Sequence, residues 1–297
     1  MVLTTLADGL ARGIDSATST ISETFFEPTL RLGVTGLSRA GKTVFITSLV
    51  ANLMDRARMP GLVAQSEGRI LTAFLQPQPD DTIPRFDYET HLAALTAREP
   101  RWPDSTRAVS ELRLSLKVRP QGLLSGLQGP RTLHLDIIDY PGEWLLDLGL
   151  MEKSYAQWSE HMLDRMTRRP DPGGFLPMAT TEAAEAKLDE PVAQRLAKAY
   201  TEAQNAARRD GFSDCGPGRF LLPGDLAGSP VLTFAPLPPV NASRGSLYRE
   251  FERRFDAYKS RVVKPFFQDN FARLARQIVL VDVLGAIHAG PRAVGDV

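Results

Sequence analysis

A short run with two glycines has the residue types and spacing of a phosphate-binding loop. Gly36 is followed, after four residues, by Gly41, Lys42 and Thr43. In such a loop, backbone N–H groups surround phosphate oxygens, the lysine ammonium lies on the β- and γ-phosphates, and the threonine hydroxyl ligates Mg²⁺. Lys42 is therefore a predicted catalytic residue and Thr43 a predicted metal ligand. The predicted nucleotide-binding residues are Gly36, Leu37, Ser38, Arg39, Ala40, Gly41, Lys42, Thr43 and Val44.

The segments on either side have the patterns that such a loop requires. The apolar residues 32–35 predict a strand before it, and residues 44–55 predict a helix after it. The alternative is a chance glycine loop that caps a helix, but the strand–loop–helix context favours nucleotide binding. Lys42 is expected to be an exposed loop side chain, so that its replacement would leave the fold intact.

A second motif begins at Asp139, where the largely apolar run of residues 133–138 stops. Asp139 is followed by Tyr140, Pro141 and Gly142, and this order resembles the switch II motif of GTPases. An acid at the carboxyl end of a buried strand would support Mg²⁺, and the glycine N–H would face a γ-phosphate. A plain Asp-Pro-Gly turn is the alternative, which the preceding phosphate loop disfavours. We predict Asp139 as a metal ligand and Gly142 as a catalytic residue.

Glu143 stands where Ras-like GTPases carry a glutamine after this glycine. Its carboxylate could position the attacking water or accept its proton, so Glu143 is a further predicted catalytic residue. Beside a triphosphate it also adds negative charge. We therefore expect slow hydrolysis, or hydrolysis completed by a partner.

Residues 109–118 alternate between apolar and polar side chains, which predicts a half-exposed strand near a sheet edge and antiparallel to its neighbour. In a Ras-like core, switch I precedes this strand, and its threonine contacts Mg²⁺ and the γ-phosphate. We favour Thr106, both as a catalytic residue and as a metal ligand. Arg107 and Arg39 are candidates for an internal arginine that offsets transition-state charge, although an ordinary surface or phosphate-neighbour contact is favoured for each.

Four segments taken together carry a family resemblance. They are GLSRAGKT at residues 36–43, WPDSTRAVSELRL at 102–114, DYPGEW at 139–144 and PGRFLLPGD at 217–225. The chain resembles the bacterial YcjX-like stress-protein family from about residue 25 onwards. The resemblance implies a P-loop NTPase with a Ras-like core and a helical insertion, which binds GTP or GDP with Mg²⁺. It also implies a link to envelope stress in Gram-negative bacteria.

Composition and charge argue against several other classes of protein. The 297 residues include 35 Lys and Arg against 35 Asp and Glu, so no net charge attracts nucleic acid. The single cysteine, Cys215, excludes an intrachain disulfide and is interpreted as a passive loop thiol. No apolar run approaches the roughly 20 residues of a membrane span, and the N-terminus lacks signal-peptide features. We predict a cytoplasmic protein with an unidentified protein partner; a peripheral position at the inner membrane is left open.

The pattern of elements predicts three regions. Residues 1–27 predict an amphipathic N-terminal helix; it carries four acids and one arginine, which favours packing on protein over anionic lipid. Residues 28–150 and 276–297 predict the P-loop nucleotide-binding domain. Residues 151–275 predict a largely helical insertion between them.

Three helices are predicted within the insertion. One covers residues 151–168, and a long one begins at the N-cap Asp189 and closes at Gly211. A basic amphipathic helix over residues 246–275 is expected to kink at Pro265. Its basic stripe is interpreted as a solvated face, with docking to a membrane or an acidic protein as the alternative.

The last predicted element is a buried strand over residues 277–285. The chain contains no credible N/T-K-x-D motif, by which GTPases of this type recognise guanine; Lys187 and Asp189 have the K-x-D spacing but open a helix. We therefore expect an α/β fold with a Ras-like, mostly parallel P-loop sheet that is C-terminally incomplete.

The predicted function is Mg²⁺-dependent binding and slow hydrolysis of a nucleoside triphosphate, with GTP preferred on the resemblance. In this interpretation the protein is a GTPase that acts as a stress-related molecular switch. A non-enzymatic nucleotide-binding regulator or scaffold is one alternative, and an ATPase is another.

Overall fold

The computed structural model describes residues 27–55, 59–103, 108–121, 129–291 and 294. The helix predicted over residues 1–27 lies outside the described residues except for Glu27, which is in an irregular segment. Thr106 and Arg107 also lie outside them. In the part of the chain that is described, no helix is both long and apolar enough to cross a membrane.

A single sheet has the strand order β2-β3-β4-β1-β5. Its strands are β1 (Thr29–Gly36), β2 (Ile70–Gln76), β3 (Ser110–Val118), β4 (Arg131–Asp139) and β5 (Arg276–Leu280). Strands β2 and β3 pair antiparallel, with Ala73 opposite Leu116. The α/β class is confirmed, but the sheet is mixed, and the prediction of a mostly parallel sheet is wrong.

The sequence patterns do not predict β2, which is one reason for that error. Its sequence ILTAFLQ does not alternate strictly between apolar and polar residues, and periodicity alone cannot distinguish such a run from a helix. The neighbouring β3 is antiparallel to β2, as predicted, but it is not half-exposed. Glu111 and Ser115 on its polar face are both fully buried.

These buried polar groups have partners within the sheet. The Ser115 hydroxyl lies 2.7 Å from Gln76 Oε1 and 2.8 Å from His134 Nδ1. Arg113 forms a bidentate ion pair with Asp136, in which Nε lies 2.6 Å from Oδ1 and Nη2 lies 2.8 Å from Oδ2. At Arg113 and Ser115, the polar side chains are therefore explained by hydrogen bonding to neighbouring strands, and not by exposure to solvent.

The helices are α1 (Lys42–Met54), α2 (Tyr88–Thr96), α3 (Tyr155–Met166), α4 (Glu190–Arg209), α5 (Leu247–Tyr258), α6 (Lys264–Asn270) and α7 (Val283–Ala289). Shorter α-helical turns cover Val63–Ser66, Phe175–Met178, Thr181–Glu185 and Gly218–Leu221. Segments of 3₁₀-helix cover Gly142–Leu150, Gly224–Leu226, Pro230–Leu232 and Phe271–Arg273. A π-helical segment, Lys259–Val263, joins α5 to α6.

The capping residues explain where the long helices begin. Asp189 caps α4 by accepting from Val192 N–H, with a proline in the first turn, as predicted. Ser154 and Gln157 form a capping box at α3, which therefore begins later than the predicted residue 151. Ser246 caps α5.

The predicted interruption near Pro265 takes the form of the π-helical segment Lys259–Val263. Proline has no N–H to donate to the preceding turn, so the helix changes its hydrogen-bond spacing there. Within α5, Phe251 and Phe255 are fully buried, so these two aromatic residues of the amphipathic pattern belong to the core.

The C-terminal prediction is partly wrong. β5 ends at Leu280, and α7 follows after Asp282, which caps it by accepting from Gly285 N–H at 2.8 Å. The strand is also not buried, since Val279 is 58% exposed. The apolar run continues beyond Asp282 into α7, so it predicts a longer strand than the structure has.

The chain divides into two compact units. The first comprises residues 1–32, 44–103 and 110–138. The second comprises residues 33–43, 104–109 and 139–297. The second unit therefore contains the phosphate loop (residues 36–43), the motif that starts at Asp139, and the long helices α3, α4 and α5. The predicted domain boundaries at residues 150 and 275 stay a prediction.

An aromatic core holds the helices of the second unit together. Trp158 of α3 stacks on Phe255 of α5 with ring centroids 5.1 Å apart, and Tyr200 of α4 meets Trp158 edge to face. Tyr155 donates its hydroxyl proton to Ala235 O at 2.7 Å. Paired aromatic rings add stability beyond their buried area, so these helices are held by a common aromatic core.

Candidate nucleotide-binding site

The phosphate loop joins β1 to α1 in the predicted strand–loop–helix order. β1 ends at Gly36 and α1 begins at Lys42. Between them, Ala40 N–H donates to Leu37 O at 3.0 Å and closes a tight turn. The first N–H groups of α1 have no partner within the helix, so this end of the helix favours an anion.

The backbone of the loop explains its two glycines. Gly36 and Gly41 have φ angles of 153° and 89°, which disfavour a side chain. A Cβ at Gly36 would also collide with Leu280 O. Arg39 has a left-handed φ of 72° and an exposed side chain.

Lys42 lies folded back on the loop. Its ammonium donates to Gly36 O at 2.6 Å, and the residue is only 5% exposed. The expectation of an exposed loop lysine is therefore wrong. Burial lowers the Lys42 pKa, while the carboxylates of Asp139 and Glu143 act in the opposite direction. A cation at a helix N-terminus, within the electrostatic influence of two carboxylates, is well placed to meet phosphate.

The second motif lies directly against the phosphate loop. β4 ends at Asp139, and a 3₁₀-helix begins at Gly142. A Cβ at Gly142 would lie 2.5 Å from Gly36 O and 2.8 Å from Leu37 N. The two backbones therefore approach as closely as only glycine permits, and the structure brings the two predicted motifs together.

Glu143 extends this contact with its side chain. Ser38 N–H donates to Glu143 Oε1 at 3.0 Å, and Arg208 Nη1 lies 3.4 Å from the same oxygen. Glu143 is 2% exposed, so its carboxylate is enclosed by the phosphate loop and the end of α4. A carboxylate oxygen thus already accepts a hydrogen bond from one N–H group of the loop.

The predicted metal ligands are oxygen donors of the kind that Mg²⁺ prefers. Thr43 is 8% exposed at the start of α1, and Asp139 is 2% exposed at the end of β4. Both belong to the second unit, whereas Thr106 lies outside the described residues. Among the described residues, no group of three or more His, Cys, Asp or Glu could hold a metal ion. Mg²⁺ would therefore have to be held by the Thr43 hydroxyl, the Asp139 carboxylate and phosphate oxygens.

Two residues of the site carry no signal in the sequence. Arg208 meets Glu143 across 65 positions of the chain, and only the packing of α4 brings them together. Asp147 is buried in the 3₁₀-helix Gly142–Leu150, where it accepts from Gly218 N–H at 2.8 Å and from the Tyr258 hydroxyl at 2.5 Å. Burial raises the pKa of Asp147 from an ordinary 3.8 to about 6, against the opposing effect of both hydrogen bonds.

Trp144 also connects the 3₁₀-helix Gly142–Leu150 to the region of the turn Gly218–Leu221. Its indole N–H donates to Leu222 O at 3.0 Å, and the Arg219 guanidinium lies 3.3 Å from the centre of one of its rings. Such a cation–π contact is favourable when it is desolvated, and Arg219 is only 9% exposed. The segment after Gly142 is therefore fixed to the turn Gly218–Leu221.

Comparison with known proteins shows the family to which this chain belongs. A family model described as the YcjX-like family, DUF463, matches residues 30–297. The chain is 40% identical over 282 residues to "Ras-like GTPase YcjX" of Escherichia coli, covering 90% of this chain and 61% of that protein. It is also 40% identical over 286 residues to "Ras-like GTPase YcjX" of Shewanella oneidensis, covering 88% and 59%. The chain thus spans about three fifths of the length of these curated relatives. It belongs to the YcjX-like family.

Proposed function

We propose that this protein binds a nucleoside triphosphate with Mg²⁺ at the phosphate loop and hydrolyses it slowly, with GTP as the preferred nucleotide. The observation that carries the proposal is the contact between Ser38 N–H and the Glu143 carboxylate, 3.0 Å long. It indicates that the loop directs a backbone donor at an anion, beside the ammonium of Lys42. The preference for GTP rests on relatives named as Ras-like GTPases.

In this proposal each motif has a separate task. Lys42 moves from Gly36 O to the phosphates, and Gly142 presents its N–H to the γ-phosphate. Thr43 and Asp139 hold Mg²⁺, directly or through water. When bound, Mg²⁺ neutralises charge on the β- and γ-phosphates. Thr106 stays a candidate for switch I. The biological output would be a stress-related switch, as the family resemblance implies.

A second candidate is a non-enzymatic nucleotide-binding regulator. Glu143 is held by Ser38 and Arg208, and a carboxylate so held is poorly placed to orient an attacking water. In that case bound nucleotide would only stabilise one conformation. An ATPase is a further alternative, because the chain lacks a credible motif for recognising guanine.

Calorimetric titration with GTP, GDP and ATP in Mg²⁺, together with a phosphate-release assay, tests these alternatives. Lys42→Ala should weaken triphosphate binding about ten- to a hundredfold, since it removes a charge-assisted hydrogen bond of about 1.5–3 kcal/mol. Lys198→Ala is the matched control, because Lys198 is 79% exposed on α4.

Because Lys42 is buried and bonded to Gly36, the unfolding midpoint of Lys42→Ala must be measured beside its affinity. A folded variant with unchanged affinity would remove the phosphate loop from the proposal. Binding without phosphate release above the Lys42→Ala background would favour the regulator. Tighter binding of ATP than of GTP, with release of phosphate from ATP, would favour the ATPase.

A further inference from the structure

Arg208 gives the helical part of the second unit a direct position at the phosphate loop. It lies in the last turn of α4, and its Nη1 is 3.4 Å from Glu143 Oε1. The same oxygen accepts from Ser38 N–H at 3.0 Å. A loop amide and a guanidinium therefore converge on one anionic oxygen atom.

We propose that Arg208 contacts the γ-phosphate of the bound triphosphate. Until nucleotide binds, Glu143 Oε1 occupies the position that a γ-phosphate oxygen then takes. The proposal rests on the proposed function. Backbone N–H groups of a phosphate loop bind phosphate oxygens, and Ser38 N–H belongs to this loop. A carboxylate oxygen on that N–H is therefore a chemical substitute for a phosphate oxygen.

An exchange of partners follows from the number of donors. Ser38 has one N–H, so a phosphate oxygen that binds there must displace Glu143 Oε1 or share it. Once a phosphate oxygen has replaced Glu143 Oε1, the Arg208 guanidinium already lies within reach of that phosphate oxygen. Arg208 retains freedom to adjust, because its side chain is 33% exposed while that of Glu143 is 2% exposed.

The packing of α4 explains why Arg208, and not its neighbour, reaches the loop. Ala203, Gln204 and Ala207 are buried on one face of the helix, and Arg208 lies at the edge of that face. Arg209 follows it on the exposed side. Both arginines interact favourably with the C-terminal end of the helix, so this general effect does not distinguish them. The contact with Glu143 does.

The proposed contact would act during hydrolysis as well as in binding. Water attacks the γ-phosphorus, a new oxygen–phosphorus bond forms, and the proton that the water loses passes to a phosphate oxygen. The bond to the bridging oxygen breaks, its electron pair stays on the diphosphate, and phosphate and the diphosphate are released. A guanidinium on the γ-phosphate oxygens stabilises the charge that these oxygens carry in the transition state. A released Glu143 could then face the water, which it cannot do while bound to Ser38 and Arg208.

The test compares a diphosphate with a non-hydrolysable triphosphate analogue, GDP and a GTP analogue, in Mg²⁺. Arg208→Ala should weaken binding of the analogue about ten- to a hundredfold and change GDP affinity by less than about twofold. It should lower kcat for phosphate release by about tenfold or more. Arg208→Lys should recover only part of both, since lysine lacks the planar fork of donors. Arg209→Ala is the matched control and should behave as wild type.

A double variant separates this role from a structural ion pair. Arg208→Ala leaves the buried Glu143 carboxylate without its cation, which could lower stability; Glu143→Gln with Arg208→Ala removes both charges. The proposal expects the folded double variant to show a smaller preference for the triphosphate analogue than the wild-type protein. Wild-type preference in the folded double variant, or an equal loss for both nucleotides in Arg208→Ala, would overturn it. Failure of the wild-type protein to bind either nucleotide would overturn the proposed function itself.

Discussion

Gly142 is the residue at which the two motifs touch, and its replacement tests how close that contact is. Gly142→Ala would place a Cβ 2.5 Å from Gly36 O, and backbone atoms cannot turn aside as a flexible side chain can. We expect the free energy of unfolding to fall by about 1–3 kcal/mol, the usual cost of overpacking. Triphosphate affinity should fall with it, because the phosphate loop must move. Chemical denaturation and calorimetry measure the two effects.

Gly149→Ala is the control for this substitution. Gly149 belongs to the same 3₁₀-helix, Gly142–Leu150, but it is exposed, and a Cβ there meets no atom within 4 Å in the part of the chain that is described. Its unfolding free energy should stay within about 0.5 kcal/mol of wild type. If the two variants were equally stable and bound nucleotide alike, Gly142 would not be the contact point.

Sequence reasoning identifies the residues whose chemistry is local and misses those that packing supplies. The positions of Lys42, Asp139 and Gly142 follow from a motif and its flanking elements. The burial of Lys42 does not, because it depends on Gly36 and on carboxylates from another part of the chain. Arg208 has no motif of its own, and only the path of α4 brings it to Glu143.

At the scale of elements, the 3₁₀-helix Gly142–Leu150 is anchored by a buried carboxyl group. Asp147 faces the Tyr258 hydroxyl, Gly218 N–H and the charge of Arg219. Burial raises its pKa to about 6, above the 3.8 of the unfolded chain. The folded protein therefore holds this proton more tightly than the unfolded chain does.

The sign of the resulting pH effect follows from that difference. The contribution of protonated Asp147 to stability is fully present below about pH 3.8 and is lost as the pH rises through about 6. At roughly 1.4 kcal/mol per pKa unit, the loss is about 3 kcal/mol. Relative to Asp147→Asn, which does not titrate, the wild-type unfolding free energy should fall by about that amount between pH 4 and pH 7.

Asp225→Asn controls for the general effect of removing an acid. Asp225 also contacts Arg219, at 3.1 Å, but its side chain is 82% exposed. The fall expected for Asp147 should exceed any change in the difference between wild type and this control over the same pH range. If the difference between wild type and Asp147→Asn did not change with pH, the pKa of Asp147 would be the same in the folded and unfolded chains.

Local signals predict the helices better than the sheet. The start of α4 is predictable because Asp189 and a first-turn proline act within one turn of the chain. β2 carries no strand signal because its residues do not alternate between apolar and polar, and without β2 the remaining strands predict a mostly parallel sheet. Glu111 and Ser115 of β3 are predicted to be exposed because they are polar. They are buried because their side-chain partners lie on other strands.

For the molecule as a whole, the phosphate loop and the long helices belong to one compact unit, residues 33–43 with 104–109 and 139–297. A change at the γ-phosphate would enter this unit through Gly142 and Glu143. Asp147 and Trp144 connect these residues to the region of the turn Gly218–Leu221, and Arg208 connects them to the end of α4. A structural change at Gly142 and Glu143 would therefore alter both of these elements. A bound phosphate shifts such contacts only if it interacts differently with the two arrangements.

Amide exchange in the diphosphate and triphosphate-analogue states tests this route. We expect exchange to differ over residues 142–150 and over 204–222, because the proposal requires the contacts of Glu143 and Arg208 to change when a γ-phosphate binds. Residues 155–166 of α3 serve as the internal control, since the stacking of Trp158 on Phe255 fixes that helix in the aromatic core. Fluorescence of Trp144 should change in parallel, because Arg219 lies on its ring. Identical exchange in both states, at saturating nucleotide, would mean that the helices only complete the core and transmit nothing.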